Sequence, residues 1–230
     1  ALYGVPYAVE NIALVRNNKI LQDTPDTFDA LIEQAKGAGA EFPAIIQVGD
    51  QGDAYHMYPI QTSFGAPVFK SNADGSYTNE LGMEGAEGEA FATYLKKLAD
   101  EKVVSVSMGG DQAKQAFLDG KAAYNVMGDW AVAQFASRDI AEADYAYSPT
   151  PGTDGTFLFL ADSFTLPVGA KNPDGAKDWL NLVGSAEGQK AFNLVKGSIP
   201  ARTDVAVALT ASVDGEQDLG QRGERLRTHR

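Results

Sequence analysis

Apolar residues along the chain come in short bursts that alternate between two spacings. Ile12-Ala13-Leu14-Val15, Ala44-Ile45-Ile46 and Ala122 to Met127 are compact apolar runs, which predicts buried strands. Leu2 to Pro6, Tyr145 to Tyr147 and Thr156 to Leu160 read as further short strands. Phe28, Leu31, Ile32 and Ala35 recur at intervals of three and four, the signature of one helix face. Asp23-Thr24-Pro25-Asp26 supplies a start for that helix: a Thr cap, a Pro in the first turn and an Asp at the positive end of the dipole. Gly37 and Gly39 end it. Helices are also predicted from Tyr55 onward, after the turn-rich Gly49-Asp50-Gln51-Gly52-Asp53, and over Glu87 to Ala99, with Phe91, Leu95 and Leu98 on one face. Asp111 to Leu118 is another, closed by Asp119-Gly120. A short helix follows Gly128-Asp129-Trp130, and two more cover Pro173 to Val183, with Trp179 expected on its buried face, and Ala186 to Val195. Strands alternating with helices predict an α/β layered fold.

Charge narrows the partners. The 230 residues hold 19 Lys plus Arg against 31 Asp plus Glu, a net −12. A nucleic-acid binder needs a basic face to displace phosphate counterions, and anionic lipid asks for the same sign. Neither fits. The hydrophobic fraction, 44%, is enough to build a core. No apolar run approaches the roughly 20 residues of a membrane helix. With no cysteine, disulfides, thiolate catalysis and Cys-ligated metal centres are excluded, and with only His56 and His229 a His-rich metal site is too. No metal and no cofactor is expected. Ser71-Asn72-Ala73-Asp74-Gly75 shares part of a calcium-loop pattern, but Lys70 and Leu81 stand where acids would be needed, so it reads as a turn. The chain starts at Ala1 without a secretion signal and is expected to be processed or a piece of something longer. Residues 206–230 are expected to form a terminal helix and an irregular tail. The last ten carry four Arg and one Glu, a net 4 − 1 = +3, and read as a frayed end.

The chemistry left after exclusion is that of binding. Neither a G-x-S-x-G elbow nor a G-x-x-x-x-G-K-[ST] loop occurs, and Gly82, Gly85 and Gly88 are spaced wrongly for a dinucleotide fingerprint. Asp50 and Asp53 lie three apart in one loop, a poor arrangement for flanking a glycosidic bond on opposite faces. Aromatic residues, in contrast, adjoin short polar groups in turns: Tyr55, His56 and Tyr58 after Asp53, and Trp130 after Asp129. A pyranose has an apolar face that stacks on a flat ring and hydroxyls that need carboxylate and amide partners. The same aromatics at helix starts could equally be core.

Five blocks, in order, resemble a known family. They are Tyr3 to Asn11 running on through Val15-Arg16-Asn17-Asn18-Lys19, and Gln51 to Pro59. Next comes Ala113-Lys114-Gln115-Ala116-Phe117-Leu118-Asp119-Gly120-Lys121-Ala122-Ala123 with Gly128-Asp129-Trp130. Asp162-Ser163-Phe164 and Lys196-Gly197-Ser198-Ile199-Pro200-Ala201-Arg202 complete the set. Together they are similar to the extracellular solute-binding proteins of ABC sugar importers, most of all the maltose/maltodextrin branch. The resemblance implies a periplasmic-binding-protein-like type II fold, with a central mixed sheet flanked by helices, that closes on its ligand by a hinge. It implies ligand contacts at Glu10, Asp53, Tyr55 and Trp130, with His56 and Asp129 as further candidates. The partners it implies are an oligosaccharide and, in the intact family member, ABC permease subunits, in the periplasm or at the cell surface. It implies no catalysis.

The blocks end near residue 205, and the family's first-lobe segment does not precede Ala1. Residues 7–165 are therefore expected to form the second lobe. Residues 1–6 and 166–205 are expected to form the hinge crossover and a remnant of the first lobe. Binding is expected to be weakened, no tighter than about millimolar, and self-association through the exposed lobe face is a further expectation. Two other readings stand beside this one: a carbohydrate-active hydrolase using Asp50, Asp53 or Asp162, and a lone lobe acting as an interaction module.

Overall fold

The computed structural model describes residues 3–136, 138, 140–153 and 158–206. They fall into two compact units, one within residues 12–127 and 140–158, the other within 3–11, 128–139 and 159–206. The sequence reading drew its boundaries at 7 and 165. The compact units change at 11/12, 127/128, 139/140 and 158/159.

In the larger unit the sheet runs β5-β2-β6-β1-β7. Its strands are β1 (Val5–Asn17, here from Ile12), β2 (Phe42–Gln47), β5 (Val104–Ser105), β6 (Ala122–Gly128) and β7 (Tyr145–Ser148). β2 is parallel to β5 and β6, and β1 is antiparallel to β7, so the sheet is mixed as expected. α1 (Phe28–Gly37), α2 (Ala54–Ser63) and α4 (Gly110–Leu118) pack on β2, and α3 (Ala86–Asp100) packs on β5. Leu14, Leu31, Ile32, Ile45, Ile46, Leu98 and Tyr124 form the core. Tyr124 is satisfied there because its hydroxyl donates to the Asp23 carbonyl at 2.8 Å. An exposed hairpin, β3 (Phe69–Ser71) and β4 (Tyr77–Leu81), turns through 72–76. The sequence showed only its turn, because neither strand has a buried face to impose a period of two.

The start of α1 corrects the sequence reading. The cap is Thr27, whose hydroxyl accepts from the Ala30 amide at 3.2 Å. Thr24 is drawn off by Arg16, whose guanidinium donates to its Oγ1 at 3.2 Å.

In the smaller unit the first half of β1 pairs with β8 (Phe159–Phe164) and β9 (Ile199–Pro200), both antiparallel. Ala8 sits opposite Asp162 on one side and Pro200 on the other. α5 (Ala131–Ala136), α6 (Pro173–Gly184) and α7 (Ala186–Lys196) complete it. Asn172 caps α6, and Ser185 caps α7 through the Gly188 amide. Gly197, at φ +77°, ends α7 in the left-handed region and turns the chain into β9. The Thr156 to Leu160 strand of the sequence reading starts only at Phe159; residues 156 and 157, and the expected terminal helix and tail beyond 206, lie outside the described residues.

Two further expectations are corrected. The predicted strands at 2–6 and 12–15 are one strand, β1, whose burial alternates from Tyr7 to Leu14, after which Val15 is buried as well. The strand runs on through Glu10 and Asn11, where Lys196 pairs with Glu10. Trp179 is 43% exposed, not buried. Its ring meets Phe164 and Phe192 edge-on, at 5.5 and 6.2 Å between centroids, and the buried position of that helix is Val183, one turn on.

Candidate functional site

The candidate residues are distributed over both units. In the smaller one, β1 carries Glu10, the end of β6 carries Gly128, and Asp129 and Trp130 form the turn into α5. Glu10 is only 8% exposed, and a carboxylate so enclosed needs a partner. Lys196, the last residue of α7, provides it and reaches Asp162 of β8 as well. The third ammonium proton points to the Tyr7 hydroxyl at 3.4 Å, and the cation lies 5.3 Å from the Tyr7 ring centre. Burial alone would lower the Lys196 ammonium. Hydrogen bonds to Asp162 and Glu10, with their charges, outweigh that and hold it above the ordinary lysine value.

Asp129 is likewise 8% exposed. Its Oδ2 accepts from the Ile199 amide at 3.1 Å, which fastens the turn to the first residue of β9. Its Oδ1 is enclosed and accepts no hydrogen bond among the described residues. Burial first, and then the charge of Glu10, push the Asp129 carboxyl up to about 7, and the nearby backbone amides of Asp129, Ile199 and Asn11 offset this only in part. Trp130 is half-buried. A Cβ on Gly128 would fall 1.9, 2.3 and 2.2 Å from Cζ3, Cε3 and Cη2 of its indole.

In the larger unit Asp53 is the cap of α2: its Oδ1 accepts from the His56 amide at 3.0 Å. The Gln47 side chain donates to its Oδ2 at 2.6 Å, and His56 Nδ1 lies 2.9 and 3.0 Å from the two oxygens. Burial pushes Asp53 up, but the His56 amide, the Gln47 amide and the imidazole together hold it below the ordinary carboxylate value. His56 is buried against this cap, and the half-buried Tyr55 ring meets it edge-on at 5.4 Å. Asp50 is exposed in the loop before.

The structure therefore joins Glu10 to Asp129 and Trp130 within one unit, and Asp53 to His56 and Tyr55 within the other. Sequence reasoning named these six but missed Lys196 and Gln47 as their partners. Lys196 was visible only as the first letter of a recurring Lys-Gly-Ser-Ile-Pro block, 186 positions from Glu10. Among the described residues no cluster of three His, Asp or Glu could hold a metal ion. What the arrangement offers chemically is fixed acceptors beside aromatic rings.

Residues 1–218 match the family described as bacterial extracellular solute-binding protein. A probable sugar-binding periplasmic protein of Mesorhizobium japonicum is 31% identical over 218 residues, which cover 88% of this chain and 51% of that protein. The maltodextrin-binding protein of Bacillus subtilis is 25% identical over 222 residues, covering 88% and 50%. Among solved structures, the maltotriose-binding protein of Thermus thermophilus, bound with maltotriose, superimposes with a TM-score of 0.67 and 25% identity over 86% of this chain and 53% of that one. The chain thus spans about half the length of the relatives it matches. With the match covering nearly its whole length, the chain belongs to the family of bacterial extracellular solute-binding proteins.

Proposed function

We propose that the protein binds a maltooligosaccharide-type sugar outside the cytoplasm and hands it to the permease subunits of an ABC importer, without chemical turnover. The observation that carries this reading is the likeness, over 86% of the chain, to a protein seen with maltotriose. Within it lie two half-buried aromatics, Trp130 in the same unit as the anchored Glu10 and Tyr55 two residues from the anchored Asp53. A ring can stack on the apolar face of a glucose unit while a fixed, ionised carboxylate accepts from its hydroxyls. Of the two acceptors Glu10 has the greater spare capacity. Asp53 already spends both oxygens on its helix cap, on Gln47 and on His56.

The hydrolase reading is less well supported. A general acid needs a raised pKa, and Asp53 is shifted the other way. Asp162 is tied to Lys196, and the one carboxyl pushed up among the described residues, Asp129, has an oxygen enclosed and the other bonded to the backbone. Calorimetric titration with maltotriose, glucose and xylose, alongside an aryl-glycoside turnover assay, separates the readings. Saturable binding without turnover fits transport. Turnover returns the enzyme, and silence in both assays returns the interaction module.

A further inference from the structure

We propose that Gly128 and Asp129 are positioning residues for Trp130: the glycine lets the indole lie flat over the end of β6, and the aspartate fixes the turn that aims it. The inference deepens the sugar-binding reading and rests on it for its ligand.

The point where a Gly128 Cβ would stand is almost equally far from three consecutive atoms of the six-membered ring, at 1.9, 2.2 and 2.3 Å. An approach in the plane of the ring would leave the two flanking atoms well beyond the middle one. Near-equal distances put the point above the ring face. The Gly128 Cα therefore covers one face of the indole, and real side chains never come so close. Backbone conformation does not ask for glycine here, because Gly128 is not among the positive-φ residues. Space for the indole is the reason a glycine is needed.

The second element is the anchor. Three residues, Gly128-Asp129-Trp130, lead from β6 into α5, and the turn could swing if nothing held its middle. Asp129 holds it by accepting from the Ile199 amide 70 positions away, in the strand that also pairs with Val9 beside Glu10. The ring, the turn and the Glu10 strand are thus set by one hydrogen bond and one missing side chain. In this account Asp129 acts through Trp130 and does not itself touch the sugar. Its Oδ2 is taken by the Ile199 amide and its Oδ1 is fully enclosed.

The test uses tryptophan emission. The chain has two tryptophans, so Trp179→Phe leaves Trp130 as the only reporter and keeps an aromatic against Phe164 and Phe192. In that background Gly128→Ala is expected to shift the Trp130 emission to the red, raise its quenching by acrylamide and weaken maltotriose binding at least tenfold. Asp129→Ala moves all three in the same direction. Asp129→Asn, which keeps an oxygen for the Ile199 amide, restores the emission and most of the affinity. If Gly128→Ala does not fold, the Asp129 pair decides. Unchanged emission and affinity in Asp129→Ala, or a loss in Asp129→Asn equal to that in Asp129→Ala, overturns the proposal. If the parent protein binds no sugar, the functional reading fails and the part of the proposal that concerns ligand fails with it, while the emission arm still decides whether the two residues hold the ring.

Discussion

Replacing Asp129 by Asn should make the protein more stable above about pH 4, increasingly so up to about pH 7. The carboxyl is pushed from an ordinary 3.8 to about 7 by burial and by Glu10. In the unfolded chain it loses its proton near 4; in the folded protein it keeps it to about 7. Between those values the folded state binds more protons, so stability falls as pH rises, and the full loss is present above 7. About three pH units at 1.36 kcal/mol each gives a loss of about 4 kcal/mol. Solvent does not screen it, since Asp129 is 8% exposed. Asn carries no charge and still offers an oxygen to the Ile199 amide. Urea melts of both proteins at pH 5, 6, 7 and 8 read the effect, and titrations common to both cancel in the difference. The Asn variant should gain from pH 5 to about 7, level off by pH 8 and end more stable by several kcal/mol. Parallel pH curves for the two proteins, or an Asn variant less stable at pH 8, would refute the reasoning.

Lys196→Met should cost about 2–4 kcal/mol at pH 7, because it leaves Glu10 enclosed without its cation; the partial exposure of Lys196 keeps this at the lower end for a broken buried pair. Lys196→Arg should cost less, and chemical denaturation checks both. Asp53→Ala should lose about 1–2 kcal/mol from the cap of α2. Because Asp53 is held below its ordinary value, its contribution is present above pH 4 and lost as pH falls through the lower folded value, so melts from pH 3 to 6 should converge for the two proteins at the acid end. Thr27→Ala should cost about 1 kcal/mol through the cap of α1, and Thr24→Ala should leave that helix end intact; hydrogen exchange at the Ala30 amide distinguishes them.

Much of the fold was legible because it rests on local signals. α1 and α3 show apolar residues at helical spacing, α1 and α4 end in glycine stops, and β2 and β6 are apolar runs that the core takes up. Elements without a buried face were not legible. β3 and β4 lie exposed, and β5 and β9 are two residues each, too short to show a period. The continuity of β1 was hidden because its polar centre is stabilised by a lysine far along the chain. The site follows the same rule. Tyr55 beside Asp53 and Trp130 beside Asp129 are adjacent in sequence and were found there. The Lys196 link to Glu10 and Asp162, and the Ile199 amide on Asp129, exist only once the chain has folded. Trp179 misled because helical spacing places a residue on a face without saying how far the neighbours cover it.

The central claim, that the protein binds sugar through aromatic rings set beside anchored carboxylates, is tested most directly by titrating maltotriose into the isotopically labelled protein and following the indole and backbone resonances. The account predicts saturable shifts at the Trp130 indole and at the backbone of Glu10 and of residues 53–56, with the Trp179 indole unmoved. Shifts that saturate elsewhere and leave Trp130 and Tyr55 untouched, or no shifts with maltotriose, glucose or xylose, would contradict it.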